Sequence, residues 1–343
     1  MSHLESDPRA AHPIARRTLL KAAAAGAVAP LVGLAGRALA QSGAPLKKLR
    51  LTWNATAICT SPVAVAVDKG IFAKYRLDVE LVNFGASTEA LLEAIATGKA
   101  DAGVGMALRW MKPLEQGFDV KVVAATHGGC SRLIAPAGAG IARIEDLKGK
   151  AIGVSDLAAP GKNFFSIMMT KAGLDPTRDV EWRQYPGELL TAAADKGEIQ
   201  AIADGDPKAW MWMKDGKFVQ VASNLDGEYA NRMCCILGLR GSLLRDDPAA
   251  AAALTRAVLE AQDWTVARPQ DAAQSFIKYT PKVAEADLVA MLQSQTHQHH
   301  PVGTDLKAEI ALLADELKLV GVFKPSTDPA KFATKVYADV LAA

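Results

Sequence analysis

The apolar and polar positions of this chain spell one pattern twice, roughly a hundred residues apart. Leu49-Arg50-Leu51-Thr52-Trp53-Asn54 opens the first copy and Lys150-Ala151-Ile152-Gly153-Val154-Ser155 the second. Each short apolar run predicts a buried strand, leads into a turn rich in Gly, Ala, Ser and Pro, and precedes a helix-like stretch. Asp78-Val79-Glu80-Leu81-Val82-Asn83-Phe84 then matches Asp179-Val180-Glu181-Trp182-Arg183-Gln184-Tyr185. A helical run ending at Gly98 matches one ending at Gly197, and a small apolar strand follows each, around Ala102–Val104 and Ala201–Ala203. A repeated β-α-β-α-β unit predicts two similar α/β lobes, and the cleft between such lobes suits a small ligand.

Helix boundaries are marked by specific residues. Ser61-Pro62 reads as an N-cap followed by Pro at the first helical position, with the helix stopping near Gly70. Gly98 and Gly197 sit where a helix end favours a left-handed residue. Asp247-Pro248 starts a long helix with Leu254, Val258, Ala261 and Trp264 at helical spacing. Further helices are expected from Asp305 to Leu319 and from Pro329 to Leu341, packed around the first lobe. Two strand-rich runs, Val120 to Ala135 and Phe218 to Leu239, are expected to cross between the lobes. They would carry His127, Cys130, Cys234 and Cys235 to the hinge. The boundaries expected are 1–40 for a leader, 46–128 plus 236–343 for lobe one, and 129–235 for lobe two.

The leader changes the picture of the N-terminus. Arg16-Arg17-Thr18-Leu19-Leu20-Lys21 is a twin-arginine pattern, followed by an apolar run from Ala22 to Ala35 and by Ala38-Leu39-Ala40. That order reads as a signal peptide with a small-residue cleavage site, or alternatively as a membrane anchor. On the first reading the mature chain starts near Gln41 and is periplasmic. About 300 remaining residues suffice for two ordinary α/β lobes. Net charge is +2 over the 343 residues and half of them are hydrophobic. No basic stripe points to nucleic acid. The four cysteines, Cys59, Cys130, Cys234 and Cys235, are too few for a disulfide scaffold.

Several segments together resemble periplasmic substrate-binding proteins of ABC transporters, in the nitrate, sulfonate, taurine and thiamine-pyrimidine-precursor group. They are Ser61-Pro62 with Asp68-Lys69-Gly70-Ile71-Phe72, then Phe84-Gly85-Ala86-Ser87, then Leu92 to Asp101, then Ile144 to Val154. The resemblance covers most of residues 48 to 343. It implies a type II periplasmic binding protein: two Rossmann-like lobes joined by two crossing strands and closing over a ligand. On this reading the chain is expected to be non-enzymatic, without a cofactor and monomeric, and to hand a small polar molecule to an inner-membrane permease.

The candidate ligand contacts lie at the C-terminal ends of strands, where open α/β sheets bind small molecules. In lobe one these are Trp53, Asn54, Thr56, Ser61, Ser87, Thr88 and Met106. In lobe two they are Asn163, Tyr185 and Asp204, with His127, Cys130 and Cys234 at the hinge. Ser61, Ser87 and Thr88 can bind an anion at helix N-termini or simply cap the helices. Asp204 and Asp206 favour an amine or polyhydroxylated ligand, unless they form a solvated turn; Lys162 could neutralise one of them. Trp53 or Tyr185 is expected to cover an apolar ligand face. The hinge thiols read as pocket or core groups, with a disulfide or soft metal as the other option. An enzyme or metal-dependent sensor using His127, Cys130, Cys234 and Cys235 is therefore the rival reading. His297, His299 and His300 could hold a metal adventitiously, and Trp210 to Met213 read as packing residues, with a reach of one of them into the cleft as the alternative.

Overall fold

The computed structural model describes residues 45–84, 88–295 and 301–342, apart from the side chains of Thr88, Glu89 and His127. The leader, Ser87, the histidines at 297–300 and the side chains of Thr88 and His127 lie outside the described residues.

The chain builds the repeated unit as a pair of mixed five-stranded sheets. The first unit runs β1 (Lys47–Trp53), α1 (Ser61–Asp68), α2 (Ile71–Lys74), β2 (Leu77–Asn83), α3 (Thr88–Ala96), β3 (Ala102–Met106), α4 (Ala107–Glu115) and β4 (Val120–His127). After the first crossing come β5 (Ser131–Pro136), β6 (Lys150–Val154), α5 (Pro160–Lys171), β7 (Val180–Gln184), α6 (Leu190–Asp195), β8 (Ala201–Gly205), α7 (Lys208–Met213) and β9 (Phe218–Ser223). The second crossing returns to β10 (Cys235–Arg240). Strand orders are β2-β1-β3-β10-β4 and β7-β6-β8-β5-β9. β5 and β10 run antiparallel to both neighbours, and each is the first strand laid down after a crossing. This is the two-lobed, two-hinge architecture expected from the repeat.

Helices α8 (Gly241–Asp246), α9 (Pro248–Ala267), α10 (Pro269–Phe276), α11 (Glu285–Ser294), α12 (Gly303–Leu319) and α13 (Pro329–Val336) complete the chain. Asp247 caps α9 by accepting from the Ala250 amide, and Pro248 follows it. The last helix ends at Val336, five residues short of the expected Leu341, because Tyr337 leaves in extended backbone and bridges to Val122. Gly98 (φ 80°) and Gly197 (φ 72°) both take the left-handed conformation expected after a helix.

One face of the first sheet packs Leu49, Leu51 and Trp53 against α1 and the α9–α11 helices. The opposite face packs α3 and α4 with α12 and α13. The C-terminal helices also reach the second lobe. Ile167 of α5 joins the α12 cluster, and Lys171 Nζ lies 2.8 Å from Glu316. On the other flank Lys214 of α7 pairs with Asp287 of α11 at 2.6 Å. Among the described residues no helix is long and apolar enough to cross a membrane.

Candidate functional site

The loops that follow β1 and β8 meet between the lobes. The Ile58 amide of lobe one donates to the Asp206 carbonyl of lobe two at 3.4 Å. The C-terminal strand ends of the two sheets therefore face each other. A groove of about 630 Å³ runs between α4 and the start of α5, with Arg109, Lys112, Asp156, Lys162 and Asn163 in its walls.

Ser61 departs from its expected role in an informative way. Thr60, not Ser61, occupies the N-cap position of α1, and Ser61 is the first helical residue. The Thr60 hydroxyl donates instead to the Asn54 carbonyl at 2.6 Å. Ser61 is fully buried and its Oγ has no hydrogen-bond partner. A buried hydroxyl without a partner costs free energy, and capping does not explain it.

Asp204 is the matching group on lobe two. Its Oδ1 accepts from the Gly205 amide at 2.7 Å, whereas Oδ2 accepts no hydrogen bond and lies 3.7 Å from Lys208 Nζ. Burial pushes its pKa up, opposed by the positive fields of Lys208 and Arg109. Lys208, rather than the expected Lys162, is the neighbouring cation. A carboxyl whose folded pKa exceeds its unfolded value loses stability as pH rises from the unfolded value through the folded one. The cost is fully present above both. Asp204→Asn is thus expected to raise the melting temperature at pH 7, with the gap from the parent protein closing below about pH 4. Melting curves across pH check this, and an unchanged melting temperature at pH 7 would refute it.

Asp206 is not a cleft carboxylate. It is buried and clasped by Arg132, whose Nε and Nη2 each donate at 2.9 Å. Arg132 also donates to Gln220 Oε1 at 2.6 Å and stacks over Trp210. Burial raises the Asp206 pKa and Arg132 opposes that shift.

Trp53 does not border the cleft. It is 1% exposed and meets Tyr279 edge-on at 4.8 Å between ring centres, with Phe276 beyond. It shares a strand face with Leu49 and Leu51, which fixes it in the helix-covered core. Tyr185 likewise turns away, donating its hydroxyl to Glu198 Oε2 at 3.0 Å on its own lobe. Asn54 spends its side-chain oxygen on the Thr56 amide and hydroxyl, which leaves Thr56 in an exposed local turn. Asn163 stays at the groove wall.

The hinge gathers sulfur. Cys130, Cys234 and Cys235 pack with Cys59, and the half-buried Met106 lies against them. Cys235 Sγ is 3.6 Å from Cys59 Sγ. Contact with Cys234 and Cys59 and burial push the Cys130 thiol well up; burial does most of the same for Cys235. Among the described residues no group of three or more His, Cys, Asp or Glu is arranged to hold a metal ion. Sequence reasoning missed Cys59, Arg109, Arg132 and Lys208, whose partners are distant in sequence or supplied by folding. Cys59 lies in a short helical turn just before α1, a position no sequence motif marks.

A family model described as NMT1/THI5 like matches residues 59–272, more than half of the chain. The chain belongs to the NMT1/THI5-like family. A Brucella abortus protein described as a binding protein is 27% identical over 67% of this chain and 70% of its own length. The bicarbonate-binding protein CmpA of Synechococcus elongatus is 26% identical over 60% of this chain and 51% of its own length. Among solved structures, the periplasmic aliphatic sulphonate binding protein SsuA of Escherichia coli superposes with a TM-score of 0.72 at 16% identity, covering 85% of this chain and 92% of that one. The periplasmic nitrate-binding protein NrtA of Synechocystis gives 0.70 at 17% identity, with 87% of each chain covered. Likeness at such identity establishes the fold of this family member: the type II periplasmic binding protein fold.

Proposed function

We propose that this protein is the solute-binding component of an ABC importer, reversibly taking a small polar molecule between its lobes and presenting it to an inner-membrane permease. The observation that carries the proposal is a pair of buried polar atoms without hydrogen-bond partners, one in each lobe and each within three residues of the Ile58–Asp206 contact: Ser61 Oγ and Asp204 Oδ2. Ser61 lies three residues after Ile58 and Asp204 two before Asp206, and Ile58 and Asp206 are hydrogen-bonded across the lobes. A ligand that satisfies both atoms engages both lobes, and binding then favours closure. The described relatives CmpA, SsuA and NrtA, named for binding bicarbonate, sulphonate and nitrate, support a binding role over a catalytic one.

Sulfonates, nitrate-like anions, carboxylates and pyrimidines are the candidate ligand classes. Asp204 favours a ligand with N–H donors, so a neutral or cationic nitrogen heterocycle of the pyrimidine class fits best. A lone oxyanion would face that carboxylate, a mismatch that selects against it. A thermal-shift screen over all four classes, with amino acids added, tests this. The expected result is a saturable rise in melting temperature with pyrimidine-class amines. A response confined to oxyanions would overturn the ligand assignment, and chemical conversion of a hit would overturn the transport role.

The leader supports export to the periplasm by the twin-arginine route. Replacing Arg16 and Arg17 together by Lys is expected to abolish accumulation in the periplasm. Cell fractionation checks this; normal export of the double variant would contradict it.

A further inference from the structure

Two cations of the second lobe meet two carboxylates of the first on the flank that α5 and α12 share. Lys171 ends α5, and Arg232 lies in the second crossing, just before β10. Both stand over Tyr229, with Lys171 Nζ 4.9 Å and Arg232 Cζ 5.9 Å from its ring centre. Tyr229 is fixed in turn, packing edge-on against Phe164 of α5 at 4.8 Å within the core of lobe two. Facing the cations, Glu309 and Glu316 stand about two turns apart on α12 and so share one helix face. Leu306, Ile310 and Leu317 fix α12 in the core of lobe one.

Glu316 joins the two cations. It is buried, and it accepts from Lys171 Nζ through Oε1 at 2.8 Å and from Arg232 Nη2 through Oε2 at 3.0 Å. Arg232 Nε donates to Glu309 Oε2 at 3.1 Å. The Arg232 and Glu309 side chains are 17% and 15% exposed, so solvent screens these contacts little. On the opposite flank, Lys214 and Asp287 form a single pair whose lysine side chain is 53% exposed, an arrangement that holds the lobes weakly.

We propose that Lys171, Arg232, Glu309 and Glu316 form an interlobe clasp that sets how much of the ligand-free protein is closed, and through that population sets the affinity of the cleft. The clasp is formed in the same structure in which the Ile58 amide meets the Asp206 carbonyl across the lobes. Rotation of the lobes about the two crossings carries α5 away from α12 and breaks the Lys171–Glu316 contact. An interaction made in one arrangement and lost in the other biases the equilibrium towards the first. None of the four residues is among those assigned to the ligand, so their effect on binding passes through lobe closure. The observed dissociation constant rises as the closed fraction falls.

The test compares the ligand-free full chain with its Lys171→Met, Glu316→Gln and Glu228→Gln variants by small-angle X-ray scattering and hydrogen–deuterium exchange. Glu228 is the control, because it also touches Lys171, at 3.1 Å, but belongs to the second crossing and not to α12. The expected result is a larger radius of gyration and faster exchange at residues 54–61 and 204–210 in the first two variants, and neither change in the third. Melting curves report folding. Should Glu316→Gln fail to fold for want of a buried partner to Arg232, Lys171→Met decides alone, since that lysine side chain is already 35% exposed. With the strongest thermal-shift hit, affinity is expected to fall about 5- to 150-fold in the opened variants, the usual span of coupling between distinct sites. This last arm rests on the solute-binding reading; if no compound binds, that reading fails and the ligand-free arms still decide the clasp. Unchanged scattering and exchange in Lys171→Met, or equal opening by Glu228→Gln, would overturn the clasp. Opened lobes with unchanged affinity would overturn its control of binding.

Discussion

Arg132→Met is expected to destabilise the protein by about 3–5 kcal/mol, the usual cost of removing one partner of a buried ion pair. Asp206 has no exposed side-chain surface, and both of its oxygens accept from Arg132. With the guanidinium gone, that carboxylate stays buried without its cation. Asp206 would retain only the Trp210 amide, 3.1 Å from Oδ1. The effect concerns more than one lobe. Arg132 Nη2 lies 3.4 Å from Ser294 Oγ of α11, and Trp210, beneath the guanidinium, packs on the first lobe's core. Denaturant unfolding measures the loss. Replacing both partners, Arg132→Met with Asp206→Leu, should restore much of it, because an apolar pair of similar volume often matches a buried ion pair. A single variant as stable as the parent would show that solvent reaches Asp206 in solution.

Trp53→Ala is expected to cost about 3–5 kcal/mol through the cavity it leaves beside Tyr279 and Phe276. Ligand affinity of the folded fraction is expected to stay within a few-fold of the parent, since the ring touches core and not cleft. This reverses the sequence expectation that Trp53 covers the ligand. Weakened binding with unchanged stability would restore the earlier view. Calorimetry at a temperature where the variant remains folded separates the two outcomes.

The difference between those expectations shows where sequence pattern carries information and where it stops. The repeated strand–helix order was legible because buried strands and helix-ending glycines leave local signatures. Strand order was not: β10 lies between β3 and β4, a placement decided by the chain's return through the second crossing. The direction of Trp53 was readable in principle from Leu49 and Leu51, two and four positions earlier on the same strand face. Proximity to a strand end misled, because position along a strand and face of a strand are separate questions. Arg132 and Asp206 sit 74 positions apart, and Cys59 and Cys235 176. No local pattern connects such pairs; the first is brought together by the pairing of β5 with β8 inside the second sheet, and the second by the return of β10 into the first sheet. Ser61 was read as a ligand contact with helix capping as the alternative, and the structure gives the cap position to Thr60. Its hydroxyl is buried and has no hydrogen-bond partner, which no local pattern announces.

The central claim is that a ligand is held by both lobes at once across the strand ends. Hydrogen–deuterium exchange with and without the strongest thermal-shift hit tests it most directly. Slower exchange is expected, at saturating ligand, in residues 54–61 of the first lobe and 204–210 of the second, in the same experiment and with the same concentration dependence. Protection confined to one lobe, or centred on a surface away from both loops, would contradict it.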